Sequence, residues 1–158
     1  MIGQFLLEFL ANYAVFVMLV SLLLLVIRRA WFTLLVMGMA LSLSLLVTRG
    51  LKSYFGTERP YVANGSEALI QWAPTDAGFP SGHTAVAMTI AVVLLPLDAT
   101  WGMGFLVVAI SIGFSRVLGG VHTPLDIIGG ILVGILCAMI SWFTVKIISV
   151  KRNWQIDI

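Results

Sequence analysis

The sequence predicts an all-α protein whose helices form a bundle inside a lipid membrane. Of its 158 residues, 60% are hydrophobic and 10% are charged, whereas an ordinary soluble domain has about 25% charged residues. The mean hydropathy is +1.07. The single core that a chain of this length can build is too small to bury so much apolar surface, so lipid must be the solvent for much of it. Because the apolar residues fall into five segments, we expect a polytopic transmembrane bundle of about five helices, with residues 1–158 as one membrane-embedded domain.

The five segments differ in length. A spanning helix needs about 20 apolar residues, within a range near 17–25. Four segments fit, at about 4–27, 31–51, 101–117 and 124–148. The remaining one, at about 82–97, is short for a span, and Glu8 places a charge inside the first. We interpret the first segment as a retained helix, because it lacks the basic start of a signal peptide and its apolar run is too long for one.

Small residues in the last segment bear on packing and on redox chemistry. Gly130 and Gly134 form a GxxxG pattern, which is typical of closely packed membrane helices. In a chain with 15 glycines, coincidence explains this pattern equally well. Cys137 is the only cysteine, so the chain has no internal disulfide.

The one long polar stretch, residues 52–81, lies between the second and third segments. A loop of this length with little structure of its own tends to be functional. Its acidic residues Glu58, Glu67 and Asp76 are interpreted as solvated loop charges. A role in admitting substrate is the alternative.

Three polar clusters fall at segment ends that five helices would place on one membrane face. They lie at residues 52–60, 80–83 and 115–126, and they include both histidines of the chain. The first and third clusters supply Lys52, Arg59 and Arg116. Arginine matches phosphate oxygens in a bidentate fork and lysine acts as a point charge, so this face is suited to bind phosphate.

The second cluster adds neutral donors for an anion. Ser81 and Gly82 immediately precede a predicted helix. The serine hydroxyl and the first backbone N–H groups of that helix can point at a bound anion, with the helix dipole behind them.

His122 and Asp126 lie four residues apart, at the predicted start of the last helix. Pro124 suits its first turn and Thr123 its cap. A carboxylate one turn away would keep one ring nitrogen of His122 protonated and leave the other free to attack phosphorus. His83 would then protonate the leaving oxygen and later activate water, a scheme that needs no metal or other cofactor. Each residue alone has a structural interpretation, and it is their convergence that favours catalysis.

These clusters resemble the signature of the type 2 phosphatidic acid phosphatase (PAP2) superfamily, which also includes vanadium haloperoxidases. That signature is Lys-x6-Arg-Pro, Pro-Ser-Gly-His and Ser-Arg-x5-His-x3-Asp, and the chain matches it throughout from Lys52 to Asp126. The resemblance implies a helical bundle, a phosphohistidine on His122 and His83 as acid and base. It also implies phosphate contacts from Lys52, Arg59, Ser81, Gly82 and Arg116, and activity without added metal. Many membrane members have six helices, whereas this chain has five apolar segments.

The substrate implied by the resemblance is a lipid phosphate or diphosphate. The stretches around Arg59, Phe79 and His122 are similar to bacterial undecaprenyl diphosphate phosphatases, although they lie mostly beside motifs that the whole family shares. Phosphatidylglycerophosphate, phosphatidate and lipid A phosphates stay open as substrates.

Other classes of function fit the sequence less well. The net charge of +2, without a basic stripe, argues against a nucleic-acid partner. A transporter would place charges near the middle of its spans, whereas these gather at one surface. A non-catalytic binding protein of the same family would be expected to have lost a histidine or Asp126. The sequence does not determine the oligomeric state.

The basic residues set the expected orientation. One predicted face carries Arg28, Arg29, Lys146, Lys151 and Arg152, and the other carries Arg49, Lys52, Arg59 and Arg116. If chemistry holds three of the second set, only Arg49 remains there as a topological charge. The positive-inside rule then favours an N-terminus outside the membrane and a C-terminus inside, with the polar loop facing outward. We expect a multi-pass protein of a bacterial plasma (inner) membrane.

Overall fold

A computed structural model describes residues 2–70 and 75–151, and within these ranges every regular element is a helix. Five form the bundle: α1 (Ile2–Ile27), α2 (Trp31–Phe55), α4 (Gly82–Leu94), α5 (Ala99–Leu118) and α6 (Pro124–Lys151). A short helix, α3 (Pro60–Ala63), lies in the polar loop. The predicted all-α bundle of about five helices is confirmed.

Helices α1, α2, α5 and α6 are long and apolar enough to cross a membrane. Most of the residues in their most apolar stretches are not buried inside the bundle. Large apolar side chains such as Phe16, Leu46, Phe114 and Phe143 are more than half exposed, as expected of surfaces that face lipid. The chain is therefore a multi-pass membrane protein.

Helix α4 is short because it lies in the centre of the bundle. It has 13 residues, of which nine are buried, and it packs against α2, α5 and α6. A helix enclosed by other helices does not have to match the thickness of the bilayer. This position explains why the third apolar segment is too short for an ordinary span.

The GxxxG pattern of α6 packs against α4. A Cβ atom on Gly130 would lie 2.6 Å from the carbonyl oxygen of Ser81, and one on Gly134 would lie 2.7 Å from that of Ala85. Only glycine permits so close an approach of two helix backbones. The packing interpretation of this pattern is confirmed, and the contact ties α6 to the start of α4, where the polar clusters lie.

Helix α2 continues beyond its predicted end at residue 51. It runs to Phe55, so Lys52 lies in its last turn. Gly56 then adopts a left-handed conformation (φ 54°), and its N–H group donates to the carbonyl oxygen of Lys52. Hydropathy marked where the apolar run ends, whereas the glycine marks where the helix ends.

Candidate active site

Two helix caps, placed back to back, set the spacing between Arg116 and Asp126. At the end of α5, Gly120 adopts a left-handed φ of 74°. The N–H of Gly120 donates to the carbonyl of Val117 (3.0 Å), and that of Val121 donates to the carbonyl of Arg116 (3.2 Å). These two bonds form a Schellman motif. It reverses the chain within a few residues and brings His122 back beside Arg116.

A capping box then opens α6. The Thr123 hydroxyl accepts from the N–H of Asp126 (3.2 Å), and Asp126 Oδ2 accepts from the N–H of Thr123 (2.8 Å). These reciprocal bonds fix the Asp126 carboxylate at the helix start, and Pro124 occupies the first turn. The predicted cap at Thr123 is confirmed.

The fixed carboxylate orients the imidazole of His122. Nδ1 of His122 lies 3.3 Å from Oδ2 of Asp126, and both side chains are buried. An ionised carboxylate only accepts hydrogen bonds, so this contact assigns the ring proton to Nδ1. Nε2 therefore carries the lone pair, as a nucleophile requires.

The pKa of His122 is lowered to about 4, mainly by burial and also by the positive charges of Arg59 and Arg116, although the hydrogen bond to Asp126 acts in the opposite direction. The ring is therefore neutral at physiological pH. In this structure Nε2 lies 3.0 Å from Nη1 of Arg59. The nitrogen suited for attack is thus held by a cation that phosphate would also attract.

Arg59 reaches the site because Pro60 follows it. A residue before proline favours an extended backbone, and proline suits the first position of a helix. Arg59 has ψ 149° and precedes α3. Its side chain is 3% exposed, and Nη1 also donates to the carbonyl oxygen of Val121 (2.9 Å).

Asp76 corrects the interpretation of the loop acids. Its carboxylate does not stand free: Oδ1 accepts from Nη2 of Arg59 (2.7 Å), and Oδ2 lies 3.1 Å from Nζ of Lys52. Burial would raise the pKa of Asp76, but hydrogen bonds from Arg59 and Lys52 outweigh it and lower the pKa below its ordinary value. Two candidate phosphate-binding cations are thus paired with an internal anion. The sequence offered no sign of it, because Asp76 meets them only through the course of the loop.

The loop backbone holds the same two cations. Nζ of Lys52 also donates to the carbonyl oxygen of Ala77, and Nε of Arg59 donates to that of Asp76 (2.7 Å). Lys52 and Arg59 therefore lie side by side beneath one loop segment.

Arg116 enters the site from α5 and is 1% exposed. Its Nη1 donates to the carbonyl oxygen of Ala11 (2.9 Å) and to Oδ1 of Asn12 (3.2 Å), both in α1. Within the described ranges, Nε and Nη2 are buried and have no partner. A buried unpaired donor costs about 1–3 kcal/mol, and more when charged, so this edge of the guanidinium is suited to an anion. Sequence reasoning missed Asn12, whose only signal was a polar residue inside an apolar helix.

The start of α4 brings the last predicted residues to the same place. Ser81 is fully buried and precedes the helix. Its N–H donates to the carbonyl oxygen of Asp126 (2.9 Å), and its hydroxyl lies 3.0 Å from that of Thr84. Gly82 and His83 begin the helix, where backbone N–H groups have no intrahelical acceptor.

Among residues 2–70 and 75–151, no group of three or more His, Cys, Asp or Glu side chains is placed to hold a metal ion.

Comparison with known protein families identifies this arrangement. The sequence profile described as "PAP2 superfamily" matches residues 29–148, which is most of the chain. The chain belongs to the PAP2 superfamily. The expected resemblance is confirmed, and the matched region contains all three polar clusters, whereas the whole of α1 precedes it.

Two curated relatives of this PAP2 protein are named as undecaprenyl-diphosphatases, one of them as putative. This chain is 38% identical over 109 residues to the putative undecaprenyl-diphosphatase YbjG of Escherichia coli, a match covering 66% of this chain and 54% of that protein. It is 40% identical over 93 residues to an undecaprenyl-diphosphatase of Sulfolobus acidocaldarius, covering 58% and 43% of the two chains. The matched region spans about half the length of these relatives.

Two solved structures are similar to nearly the whole of this chain. Aquifex aeolicus LpxE superposes with a TM-score of 0.75 at 30% identity, covering 90% of this chain and 84% of that one. A transmembrane PAP2-type phosphatidylglycerolphosphate phosphatase from Bacillus subtilis superposes with a TM-score of 0.56 at 22% identity, covering 89% and 83%. The second similarity concerns the fold alone.

Proposed function

We propose that this PAP2 protein is a metal-independent lipid phosphatase that forms a phosphohistidine on His122. The observation that carries the proposal is the buried His122–Asp126 pair. Nδ1 of His122 is held by the carboxylate of Asp126. Nε2 of His122 lies beside Arg59 and in the positive field of Arg59 and Arg116. A neutral imidazole surrounded by anion-binding groups is suited to phosphoryl transfer, where positioning and charge stabilisation supply most of the catalysis.

The first step transfers the phosphoryl group to the enzyme. Nε2 of His122 forms a bond to the terminal phosphorus while the bond to the leaving oxygen breaks. His83, which must carry its second ring proton when the phosphate anion is bound beside it, gives that proton to the leaving oxygen and becomes neutral, and the lipid product departs. Asp126 stabilises the positive charge that develops on the ring. Lys52, Arg59, Arg116 and the donors at Ser81 and Gly82 bind the phosphoryl oxygens.

The second step regenerates His122. Water attacks the phosphorus, the bond between phosphorus and Nε2 breaks, and inorganic phosphate leaves. His83 takes the proton from the attacking water, so both histidines return to their starting states.

The substrate that we propose is undecaprenyl diphosphate, hydrolysed to the monophosphate. The support is the name shared by the relatives from Escherichia coli and Sulfolobus acidocaldarius, at 38% and 40% identity. Lipid-facing helices around a polar site also suit a substrate with an apolar tail and an anionic head.

A panel of lipid substrates tests this proposal. Purified protein in detergent would be given undecaprenyl diphosphate, phosphatidylglycerophosphate, phosphatidate and a lipid A phosphate at matched concentrations, and phosphate release would be measured with and without EDTA. We expect preference for the diphosphate and no effect of the chelator. Preference for a glycerolipid or lipid A contradicts the substrate, and loss of activity with EDTA contradicts the mechanism.

We also propose that the site faces outward from a bacterial inner membrane, as the distribution of basic residues suggests. A single cysteine in place of Glu67, introduced with Cys137→Ser, tests this orientation in intact cells. Labelling by an impermeant maleimide is the expected result. Protection at residue 67, with labelling of a cysteine near the C-terminal end of α6, reverses the topology.

A further inference from the structure

We propose that Asn12, in α1, is a positioning residue that holds Arg116 so that one edge of its guanidinium faces the transferred phosphoryl group. The inference deepens the proposed function and rests on it. It extends the site to a helix that lies outside the region matched by the family profile, residues 29–148.

The contact itself is specific. Oδ1 of Asn12 lies 3.2 Å from Nη1 of Arg116, and the carbonyl oxygen of Ala11 lies 2.9 Å from the same nitrogen. Asn12 is 9% exposed, in a helix whose other described side chains are mostly apolar. A buried amide needs a partner, and Arg116 is the one that it has among the described residues. Two acceptors on one nitrogen fix the orientation of the planar guanidinium.

The contact uses only one corner of the guanidinium. Nε and Nη2 form the opposite side-on edge, and both are buried without a partner in the described part of the chain. Two parallel N–H groups on one edge match two oxygens of a phosphoryl group. Because Nη1 is already bound, the open edge keeps a single direction.

The segment of α1 around Asn12 is itself built into the site. Residues Phe9–Tyr13 form a π-helical turn, in which the N–H of Ala14 donates to the carbonyl oxygen of Phe9. Such turns occur frequently at functional sites. Ala11 packs with Ile70 and Val121, the residue before His122. The same turn thus binds the arginine and belongs to a hydrophobic cluster that includes the residue before His122.

A neutral amide suits this role better than a carboxylate would. It accepts from Arg116 without cancelling the positive charge that phosphate needs. Asp76 shows the contrast, because its charge pairs with Lys52 and Arg59. An aspartate at position 12 would hold Arg116 and at the same time compete with the phosphoryl group.

The test compares Asn12→Leu, which keeps the size and removes the acceptor, with Ser21→Ala in the same helix. Ser21 bonds only the carbonyl oxygen of Met18 among the described residues and lies outside the site. Orthovanadate serves as the tetrahedral oxyanion, its Kd measured by calorimetry on detergent-solubilised full-length protein, beside KM and kcat for undecaprenyl diphosphate. Each variant would be combined with Arg116→Lys. Asn12→Ala gives the same comparison if the leucine variant does not fold.

We expect Asn12→Leu to weaken vanadate binding roughly tenfold, the size of a lost hydrogen bond to a charged group. Ser21→Ala should leave the Kd unchanged. In the Arg116→Lys background the Asn12 substitution should have no further effect, which separates positioning from general damage. An unchanged Kd in Asn12→Leu, or an equal loss in both backgrounds, overturns the inference. If the wild type hydrolyses no lipid but Asn12→Leu still weakens vanadate binding, the proposed function fails, and what stands is that Asn12 positions Arg116 for a tetrahedral oxyanion.

Discussion

The His122 side of the site is held by residues that are close in sequence, whereas the Lys52 and Arg59 side is held by a loop 17 to 25 residues further along the chain. The Schellman motif and capping box around His122 need no ligand to form. The two cations are paired with Asp76, so in the proposed mechanism the phosphate would have to replace the Asp76 carboxylate. The proposed nucleophile is thus pre-organised, whereas part of the proposed anion site already binds a carboxylate of the protein.

The largest expected effect is on kcat, and it follows from removing the contact between Asp126 and His122, which lie close in sequence. Asp126→Asn replaces the carboxylate that holds Nδ1 of His122, and kcat should fall by about 10²–10⁴, as in other histidine–carboxylate pairs. Asp98→Asn is the matched control, because Asp98 also caps a helix, accepting from Thr100 and Trp101. A similar loss in both variants would mean that Asp126 acts through helix stability alone.

The ionisation of His122 sharpens the same comparison. Burial and the nearby arginines lower its pKa to about 4, so the neutral nucleophile should persist as pH falls through 6 and 5, and protonation should remove it only near 4. Histidine ¹⁵N resonances recorded against pH would show this midpoint. The chain has two histidines, so a spectrum of His83→Gln assigns them. A midpoint near the ordinary value of 6.5 contradicts the account of burial.

Removing the charge of Asp76 should strengthen anion binding by Lys52 and Arg59, whereas removing the charge of Asp126 should weaken catalysis. Asp76→Asn frees Lys52 and Arg59, and vanadate should inhibit more strongly. Since Asp76 is 57% exposed and such pairs contribute about 1 kcal/mol at most, the gain should be roughly fivefold. Glu67→Gln removes the same charge from the same loop without a described contact to either cation, and should change little. Weaker inhibition of Asp76→Asn would show that Asp76 positions the cations.

The last expected effect is on stability and not on activity. Gly120→Ala places a side chain at φ 74°, which costs about 1–2 kcal/mol. Gly104→Ala, in the interior of α5 with nothing within 4 Å of the added Cβ, should stabilise the helix by up to about 1 kcal/mol. Thermal unfolding in detergent should therefore shift in opposite directions. Equal shifts would show that the Schellman motif is not under the expected constraint.

The features that could be predicted from the sequence are those set by hydropathy or by residues that are close in sequence. The five helices follow from apolar runs, and the cap at Thr123 follows from its position directly before Pro124, which suits the first turn of a helix. Gly130 and Gly134 were open to a chance interpretation until the close approach to α4 was visible. The roles of the site residues stay predictions.

What the sequence did not predict depends on how distant segments meet. Asp76 faces its cations because residues 75–78 pass over the end of α2, where Gly78 donates to the carbonyl oxygen of Thr57 (2.8 Å). Asn12 meets Arg116 only because α1 packs against α5 at its π-helical turn. No local spacing encodes either contact.

The most direct test of the central claim is to trap the phosphoryl group on His122. The protein would be incubated briefly with undecaprenyl diphosphate labelled in its terminal phosphate, quenched in alkali and mapped by mass spectrometry, beside His122→Ala. The account predicts an acid-labile, alkali-stable phosphate on His122 of the wild type, absent from a folded but inactive His122→Ala. Phosphate on another residue, or near-normal turnover by His122→Ala, would contradict it.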